Sequence, residues 1–341
     1  MATFYIGVDI SQASFVGAVW LTGKAQVLGQ YGNDEAGFVA FAAQLAQVCQ
    51  PQQAHTPHLI LEPTGGYELK LALYAYAAGW LVTKPNPRQL RQWANGMNFR
   101  TKTDQVDAKM LAEYGFRNQP APQDLMARSV RELDYLLRRR QDLEKTLRME
   151  RNRLANAQVQ PDLPKTVLRN IEQTIGLLEA QHREIEQAID ALVKGDATLR
   201  QHKRALLSVP GVGPKNVLPL LVLLARFHAL TQGKGTAKQL TAFLGLDVRF
   251  GDSGTSVHHR PTISKQGDST GRALLYMGAL GGVRGHNVLR SFYQLLLSRG
   301  KAKKLALIAC ARKILTWAWA VFGANTCFDP ARFPHLAAVP T

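Results

Sequence analysis

Four acidic residues stand at positions where carboxylates could bind divalent metal. Asp9 ends the apolar run FYIGVD, Glu62 ends LILE, and Asp104 and Asp107 lie three residues apart in KTDQVDAK. A strand that ends on a carboxylate carries charge to the rim of its sheet, and two aspartates at this spacing share a helix face. Hard cations prefer oxygen ligands, and a metal pair about 4 Å apart suits phosphoryl transfer. A lone aspartate of this kind is more often a turn residue, so the predicted metal site depends on all four.

A second group of reactive residue types lies between Gly251 and Gly271. A hydroxyl attacks a phosphodiester only when a base or metal activates it and cations stabilise the developing charge. The same residue types dominate ordinary polar turns, so the residues alone leave a flexible loop open and do not choose among the serines. The hydroxyl candidates are Ser253, Thr255, Ser256, Ser264 and Ser269, and their neighbours are His258, His259, Arg260, Lys265 and Arg272.

A glycine-containing turn in LLSVPGVGPKNVLPLL has the pattern of a helix-hairpin-helix. Gly211 and Gly213 would let the backbone approach a phosphate, with Lys215 beside it and the amides of the second helix aimed at the anion. A purely structural turn is the alternative. Neither this turn nor PTGGY has the GxxxxGK[ST] spacing of a nucleotide-binding P-loop, so the sequence does not indicate a P-loop nucleotidase.

The net charge of +17 is concentrated in the C-terminal part of the chain. Residues 196–341 hold 20 Lys and Arg against 5 Asp and Glu. A surplus of this size indicates a polyanionic partner, because each neutralised phosphate releases counterions. An anionic membrane surface is the weaker alternative, since the basic residues form no single amphipathic face. The candidate nucleic-acid contacts are Gly211, Gly213 and Lys215 of the glycine turn, His259, Arg260, Lys265 and Arg272 of the serine segment, and Lys301, Lys303 and Lys304.

The sequence predicts a protein without a membrane segment or disulfides. Its longest apolar stretch, from Val217 to Ala225, is broken by Pro219 and is shorter than the roughly 20 residues of a spanning helix. The N-terminus lacks the basic start and cleavage site of a signal peptide. The three cysteines are scattered and without CxxC spacing, which indicates neither a disulfide framework nor a zinc site. We therefore expect a reducing cytoplasm.

The elements that must position these residues fall into three regions and a tail. Residues 1–120 read as three meandering strands followed by alternating helices and strands, like a ribonuclease-H-like sheet with carboxylates at strand ends. Residues 121–195 read as two long helices forming an antiparallel coiled-coil hairpin, a linker or dimerisation arm. Residues 196–330 read as mostly helical, with a strand-like LDVRFG and then a polar loop up to Ser269. Residues 331–341 read as an irregular tail. The predicted class is α/β plus all-α.

Six ordered motifs resemble one family. They are YIGVDIS, LEPTGGYE, KTDQVDAKMLAEY, SVPGVGPKNV, FLGLDVRFGDSGTSV and ISKQGDSTGRALLYMGAL, and together they cover almost the whole chain. In this order they resemble the DEDD insertion-sequence transposases of the IS-one-ten type, relatives of the Piv DNA invertases.

The resemblance implies roles for the candidate residues. A RuvC-like N-terminal domain would hold Mg²⁺ or Mn²⁺ with Asp9, Glu62, Asp104 and Asp107. A basic C-terminal transposase domain would supply the serine nucleophile. By motif position that serine is Ser253, with Ser256 as the nearby alternative. The serine would attack a DNA phosphodiester and form a covalent phosphoserine before the strands are rejoined, with no nucleotide cofactor. His259, Arg260 and Lys265 would help to stabilise the transition-state charge.

The resemblance also implies partners. Target and donor double-stranded DNA would be selected through pairing with a structured non-coding guide RNA, the bridge RNA, while the protein reads backbone and helical shape. The protein would assemble as a tetramer, a dimer of dimers, in the cytoplasm of a bacterium or archaeon, at the nucleoid. Two alternatives remain open: a RuvC-like metal-dependent nuclease or junction resolvase without a covalent intermediate, and a non-catalytic nucleic-acid-binding protein.

Overall fold

The chain folds into two compact units. The computed structural model describes residues 3–49, 56–253 and 257–333, and within 250–261 it describes the backbone alone. The first unit comprises residues 1–125 with 229–232, and the second comprises residues 126–228 with 233–341. The first is a mixed α/β unit and the second is mostly helical. This agrees with the predicted α/β plus all-α class.

The first unit is built on a five-stranded sheet with the order β3-β2-β1-β4-β5. The first three strands are antiparallel neighbours, as the sequence predicts, and β4 and β5 add parallel to β1. The alternation of strands and helices after β3 produces these parallel crossovers. The strands are β1 (Thr3–Ile10), β2 (Ser14–Leu21), β3 (Lys24–Gly32), β4 (Thr56–Leu61) and β5 (Leu81–Thr83).

Among the described residues of this unit, four helices accompany the sheet. Helix α1 begins after Asp34, whose carboxylate accepts a hydrogen bond from the amide of Gly37, and Asn86 caps α3 in the same manner. Short polar side chains at these positions satisfy amides that the first helical turn leaves unpaired. The helices are α1 (Glu35–Val48), α2 (Glu68–Ala77), α3 (Pro87–Gly96) and α4 (Asp104–Asn118).

Two long helices begin the second unit. Helix α5 (Arg128–Gln158) packs against α6 (Lys165–Gly195), and Arg140 pairs with Glu186 while Arg151 pairs with Glu179. Partners later in α5 lie earlier in α6, so the two helices run antiparallel, as the break at VQPDLP predicts. Leu133, Leu143 and Ile189 are fully buried along this hairpin.

The remainder of the second unit is helical around a continuous apolar core, with one hairpin of two strands. The strands β6 (Val248–Ser253) and β7 (Val257–Ile263) are antiparallel. The prediction of a polar loop from Asp252 to Ser269 is therefore wrong for residues 257–263. Pairing with β6 supplies the backbone hydrogen bonds that a Ser- and His-rich composition alone did not indicate. The helices are α7 (Ala197–Leu207), α8 (Val217–Leu230), α9 (Ala237–Phe243), α10 (Ser269–Gly282), α11 (Val288–Ser298) and α12 (Lys303–Ala324).

Helix α12 is long and apolar enough to cross a membrane by length and composition. The sequence pattern predicts no membrane segment. More than half of its most apolar 18-residue window is buried inside the protein, and Cys310, Ile314, Leu315 and Ala318 belong to the core of the second unit. A core helix of this kind meets the same criterion, which makes the criterion weak evidence for a membrane span.

Candidate active site

The strand register places Asp9 and Glu62 side by side. Val8 of β1 pairs with Leu61 of the parallel strand β4. Asp9 and Glu62 each come one residue later, at the carboxyl ends of neighbouring parallel strands, which are about 4.8 Å apart in a sheet. Asp9 still belongs to β1, whereas Glu62 is the first residue beyond β4. Two of the four predicted carboxylates therefore lie side by side at the carboxyl ends of interior strands of the sheet.

Helix α4 lies on the sheet face to which these carboxylates belong. A side chain on Gly7 would collide with α4, because its Cβ would lie 2.1 Å from the carbonyl oxygen of Ala108 and 2.2 Å from the amide nitrogen of Ala112. Asp9 shares the face of Gly7, since residues two apart in a strand point the same way. A Cβ on Gly115, later in α4, would lie 2.8 Å from the ring of Tyr5, earlier in β1. Helix α4 thus runs antiparallel to β1, with its N-terminus towards Asp9.

The N-terminal turn of α4 carries the other two carboxylates. Asp104 is exposed and Asp107 is half-buried. Thr103 caps the helix by accepting a hydrogen bond from the amide of Val106 at 3.3 Å. Burial raises the pKa of Asp107, while the nearby Lys102 ammonium opposes this rise and Asp104 adds to it. The partial positive charge of a helix N-terminus favours carboxylates here.

Electrostatic repulsion shows that the four carboxylates converge. Burial, followed by the charges of Asp107, Asp104 and Glu62, raises the pKa of Asp9 to about 6, and a hydrogen bond from the backbone of Ile10 opposes the rise. Crowded carboxylates repel one another unless protons or cations neutralise them. An all-oxygen donor set with net negative charge fits Mg²⁺ or Mn²⁺ and does not fit a soft metal.

The four carboxylates at Asp9, Glu62, Asp104 and Asp107 are spaced more widely than the ligands of a closed metal site. In the described part of the chain, one set of three potential ligand atoms lies mutually within 4.8 Å, and it belongs to Glu144, His182 and Glu186 on the α5–α6 hairpin. Arg140 already pairs with both of those glutamates. The ligand atoms of Asp9, Glu62, Asp104 and Asp107, here called the tetrad, are more widely spaced than those of this group. Wider spacing is expected for a site whose cations also bind substrate oxygens.

The serine segment occupies the β6–β7 hairpin. Ser253 is the last residue of β6 and pairs with Val257, while His258 and His259 pair with Asp252 and Gly251. Arg260 follows on β7, and Thr255 and Ser256 lie outside the described residues. The structure therefore gives Ser253 a position at the tip of a strand pair.

The base of this hairpin is held by backbone and side-chain bonds. The amide of Ser264 donates to the carbonyl of Asp247 at 2.9 Å, and the Ser264 hydroxyl donates to the Asp247 carboxylate. Ser264 is thus used in holding the two strands together. Lys265 is exposed and has a positive φ, with its amide bonded to the carbonyl of Gly245. Ser269 is exposed at the start of α10.

Two predicted phosphate contacts already have partners inside the protein. The guanidinium of half-buried Arg272 donates to the carbonyls of Leu244 at 3.0 Å and Gly267 at 3.2 Å. The amide of Gly213 donates to the side chain of Asn216 at 2.6 Å. A phosphate at Gly213 would have to compete with this bond.

The conformation of Gly211 has a structural cause. Its φ is +91°, and an added Cβ would lie 2.5 Å from Ile314 of α12 and 3.0 Å from the carbonyl oxygen of Gly278 of α10. Close packing of the turn against these helices therefore requires glycine. The exposed cations among the predicted contacts are Lys215, Lys265, Lys301, Lys303 and Lys304.

Comparison with known proteins decides the family. A DEDD, IS110-type transposase model matches residues 6–160, and a model described as "Transposase IS116/IS110/IS902 family" matches residues 203–294. The pilin gene-inverting protein of Moraxella lacunata is 30% identical over 335 residues, which cover 96% of this chain and 98% of that protein. This chain belongs to the IS110 transposase family. This transposase is therefore a DNA recombination enzyme, and its family implies a DNA substrate, a RuvC-like first domain and a dependence on divalent metal.

Two further relatives are similar to this transposase. The pilin gene-inverting protein of Moraxella bovis is 29% identical over 335 residues, 96% of this chain and 98% of that protein. The probable family 20 transposase of Pseudomonas aeruginosa is 33% identical over 172 residues, 48% of this chain and 47% of that protein. The acidic tetrad lies within the first matched segment and Ser253 within the second.

Three residues in contact with the elements that carry the acidic residues were not predicted from the sequence. Gly7 lies inside an apolar strand, and a glycine there signals close backbone approach. Asn33 precedes the first helix and Glu68 begins the second, so both resemble ordinary turn and cap residues. Their contacts join loops that are distant in sequence, and no local pattern in the sequence indicates them.

Proposed function

We propose that this transposase cuts and rejoins DNA through a serine nucleophile, Ser253, assisted by divalent cations at Asp9, Glu62, Asp104 and Asp107. The observation that carries the metal site is the placement of Asp9 beside Glu62 by the β1–β4 register, with the N-terminus of α4 directed towards Asp9. The raised pKa of Asp9, caused by burial and by the three other carboxylates, supports the same arrangement. Bound Mg²⁺ or Mn²⁺ would supply Lewis-acid stabilisation of the phosphoryl oxygens. The carboxylates hold the cations at the rim of the sheet.

The serine step conserves the energy of the phosphodiester. The Ser253 oxygen forms a bond to phosphorus and loses its proton, while one phosphorus–oxygen bond of the DNA strand breaks and that strand end leaves as a hydroxyl. Attack of a new strand hydroxyl on the phosphoserine reverses these changes and frees the serine. The step needs no nucleotide cofactor. Inverting a gene, as the names of the Moraxella relatives describe, also requires strands to be cut and rejoined.

The basic surface of the second unit binds nucleic acid in this proposal. The exposed side chains of Lys265, Lys301, Lys303 and Lys304 and the local excess of positive charge support contacts with phosphates. We assign sequence choice to a structured non-coding guide RNA that pairs with target and donor DNA, while the protein reads backbone shape. The active form is a cytoplasmic homotetramer in this scheme. RNA that co-purifies with the protein, once sequenced, should contain loops complementary to the insertion site.

Trapping of a covalent adduct tests the serine assignment. Wild-type protein incubated with cognate DNA, guide RNA and Mg²⁺ should give a denaturation-resistant protein–DNA adduct, and Ser253→Ala should give none. Ser256→Ala is the matched control in the same segment and should still form the adduct. Full cleavage by Ser253→Ala would instead favour a RuvC-like nuclease in which water is the nucleophile.

Substitution of the tetrad carboxylates distinguishes a catalytic recombinase from a protein that only binds nucleic acid. Glu62→Ala and Asp104→Ala should abolish recombination while DNA binding persists. If both variants recombined normally, and removal of charge at Lys301, Lys303 and Lys304 abolished recombination, the protein would be a nucleic-acid-binding module instead.

A further inference from the structure

A buried asparagine joins the two loops that follow the carboxylate-bearing strands. The side chain of Asn33 donates to the carbonyl oxygen of Ser11 at 3.1 Å and to that of Tyr67 at 3.2 Å. Ser11 comes two residues after Asp9, and Tyr67 comes five residues after Glu62. Only 7% of the surface of Asn33 is exposed. One amide group therefore links the backbone beyond Asp9 to the backbone beyond Glu62.

A buried glutamate fixes the second of these loops internally. The carboxylate of Glu68 accepts hydrogen bonds from the amides of Thr64 at 3.3 Å and Gly66 at 3.1 Å. Its other oxygen pairs with the ammonium of Lys84 at 3.1 Å. Gly65 and Gly66 both have positive φ, so this turn uses backbone conformations that few other residues adopt. Without Glu68 the turn would lose the acceptor that holds its amides.

Within the described part of the chain, only one end of the Asn33 side chain forms hydrogen bonds. Its side-chain oxygen is buried and has no hydrogen-bond partner among the described residues. A buried polar atom without a partner is destabilising. The side chain of Asn33 thus acts through its nitrogen, which donates to both loops. This nitrogen opposes the separation that repulsion between Asp9 and Glu62 favours.

We propose that Asn33 and Glu68 are positioning residues, here called the loop bracket, that hold Asp9 and Glu62 at the spacing a divalent cation requires. The inference rests on the proposed function, because it assumes that the tetrad binds metal. Replacement of a residue that orients metal ligands commonly weakens metal binding by about 10-fold or more. Small displacements of reacting groups also reduce rates strongly.

Binding of Mn²⁺ to the full chain tests the loop bracket, with the signal of free Mn²⁺ measured by electron paramagnetic resonance. Asn33→Ala and Glu68→Ala should raise the Kd for Mn²⁺ about 10-fold. Glu68→Gln, which keeps an acceptor for the turn amides, should raise it less than Glu68→Ala. All measurements are made below the melting temperature of each variant, so that folded protein is compared. Asn86→Ala is the matched control, because it removes the cap of α3 in the same unit and should leave the Kd unchanged.

The outcomes separate the bracket from the metal site itself. If folded Asn33→Ala and Glu68→Ala bound Mn²⁺ as wild type does, while Asp9→Asn weakened binding, the bracket would be refuted and the proposed metal site would stand. If Asp9→Asn left Mn²⁺ binding unchanged, the proposed metal site and the bracket would both be wrong. Should the alanine variants fail to fold, Asn33→Ser decides, because it removes the side-chain nitrogen that donates to both loops. An unchanged Kd for Mn²⁺ in Asn33→Ser refutes the bracket.

Discussion

At the scale of single residues, the acidic site is an arrangement of charges that the folded chain disfavours by itself. Asp9 is half-buried and faces the charges of three other carboxylates. A pKa of about 6 means that the folded state holds a proton on Asp9 more tightly than the unfolded chain does. Divalent cations would relieve the same repulsion, so stability and metal binding are linked at this residue.

Asp9→Asn should stabilise the metal-free protein at neutral pH. The pKa rises from 3.8 to about 6, which makes the ionised carboxylate unfavourable in the folded state at neutral pH. At about 1.4 kcal/mol per pKa unit the full effect is about 3 kcal/mol, and solvent screening of the partly exposed Asp9 reduces the expected gain to about 2 kcal/mol at pH 7. The gain should disappear as the pH falls to 4, where wild-type Asp9 is protonated in the folded protein. Chemical denaturation with a metal chelator at both pH values measures this. An equal gain at both would contradict the electrostatic explanation.

His58 should make the first unit sensitive to acid. Burial lowers its pKa from 6.5 to about 4, and its ring bonds to the hydroxyl of Thr83 at 2.8 Å. The unfolded chain takes up the proton first, so stability is complete above pH 6.5 and is lost as the pH falls towards 4, by about 3 kcal/mol. His58→Gln should remove this part of the pH dependence. Unfolding free energies of both proteins at pH 7 and pH 4.5 check it; parallel curves would refute it.

At the scale of elements, a line of small residues sets the distance between the sheet and the helix that carry the acidic residues. Gly7 of β1 and Gly115 of α4 face backbone or side-chain atoms at distances that no Cβ tolerates. Ala108 and Ala112 are fully buried on the same helix face. The close approach brings the first turn of α4 to the end of β1, where Asp9 lies.

Gly7→Ala should damage both stability and metal binding. The added methyl group would overlap the backbone of α4, and overpacking of this kind costs about 3 kcal/mol. Displacement of α4 should also raise the Kd for Mn²⁺, measured on the folded variant. Gly176→Ala is the control, because its Cβ meets open space on helix α6 and the substitution should stabilise by about 1 kcal/mol. Unchanged Mn²⁺ binding in Gly7→Ala would show that α4 does not set the site.

At the scale of the whole molecule, charge is divided between the regions. Residues 1–120 carry 9 Lys and Arg against 8 Asp and Glu, whereas residues 196–341 carry 20 against 5. The carboxylates proposed to bind metal therefore belong to a region of nearly balanced charge, and the proposed attraction for nucleic acid arises elsewhere in the chain. Such attraction depends strongly on salt.

The triple substitution of Lys301, Lys303 and Lys304 by alanine should make DNA binding less dependent on salt. Each phosphate contact contributes about 0.9 to the slope of log K against log salt, so the slope should become shallower by up to about 3. Fluorescence anisotropy of duplex DNA at several KCl concentrations measures it. Alanine at Lys145, Arg148 and Lys165, exposed on the charge-balanced hairpin, is the control and should change the slope less. Equal changes of slope in the two triple variants would mean that DNA does not bind preferentially at Lys301, Lys303 and Lys304.

The sequence by itself determined the elements and the identity of the acidic residues. Apolar runs ending in Asp9 and Glu62, and the aspartate pair in KTDQVDAK, are local patterns, and local patterns follow from chain periodicity. The two long hairpin helices and the three terminal helices were likewise predicted. Strand β7 was not, because the hydrogen bonds that form it come from a partner strand rather than from its own composition.

Only the tertiary structure decided how the acidic residues are held together. The register of β1 with β4 sets Asp9 beside Glu62, and the absence of a side chain on Gly7 admits α4. Asn33 and Glu68 then fix loops that no sequence pattern relates. These contacts join residues far apart in the chain, and their energy depends on packing and charge in three dimensions. For that reason a sequence can name the ligands of a site without indicating what positions them.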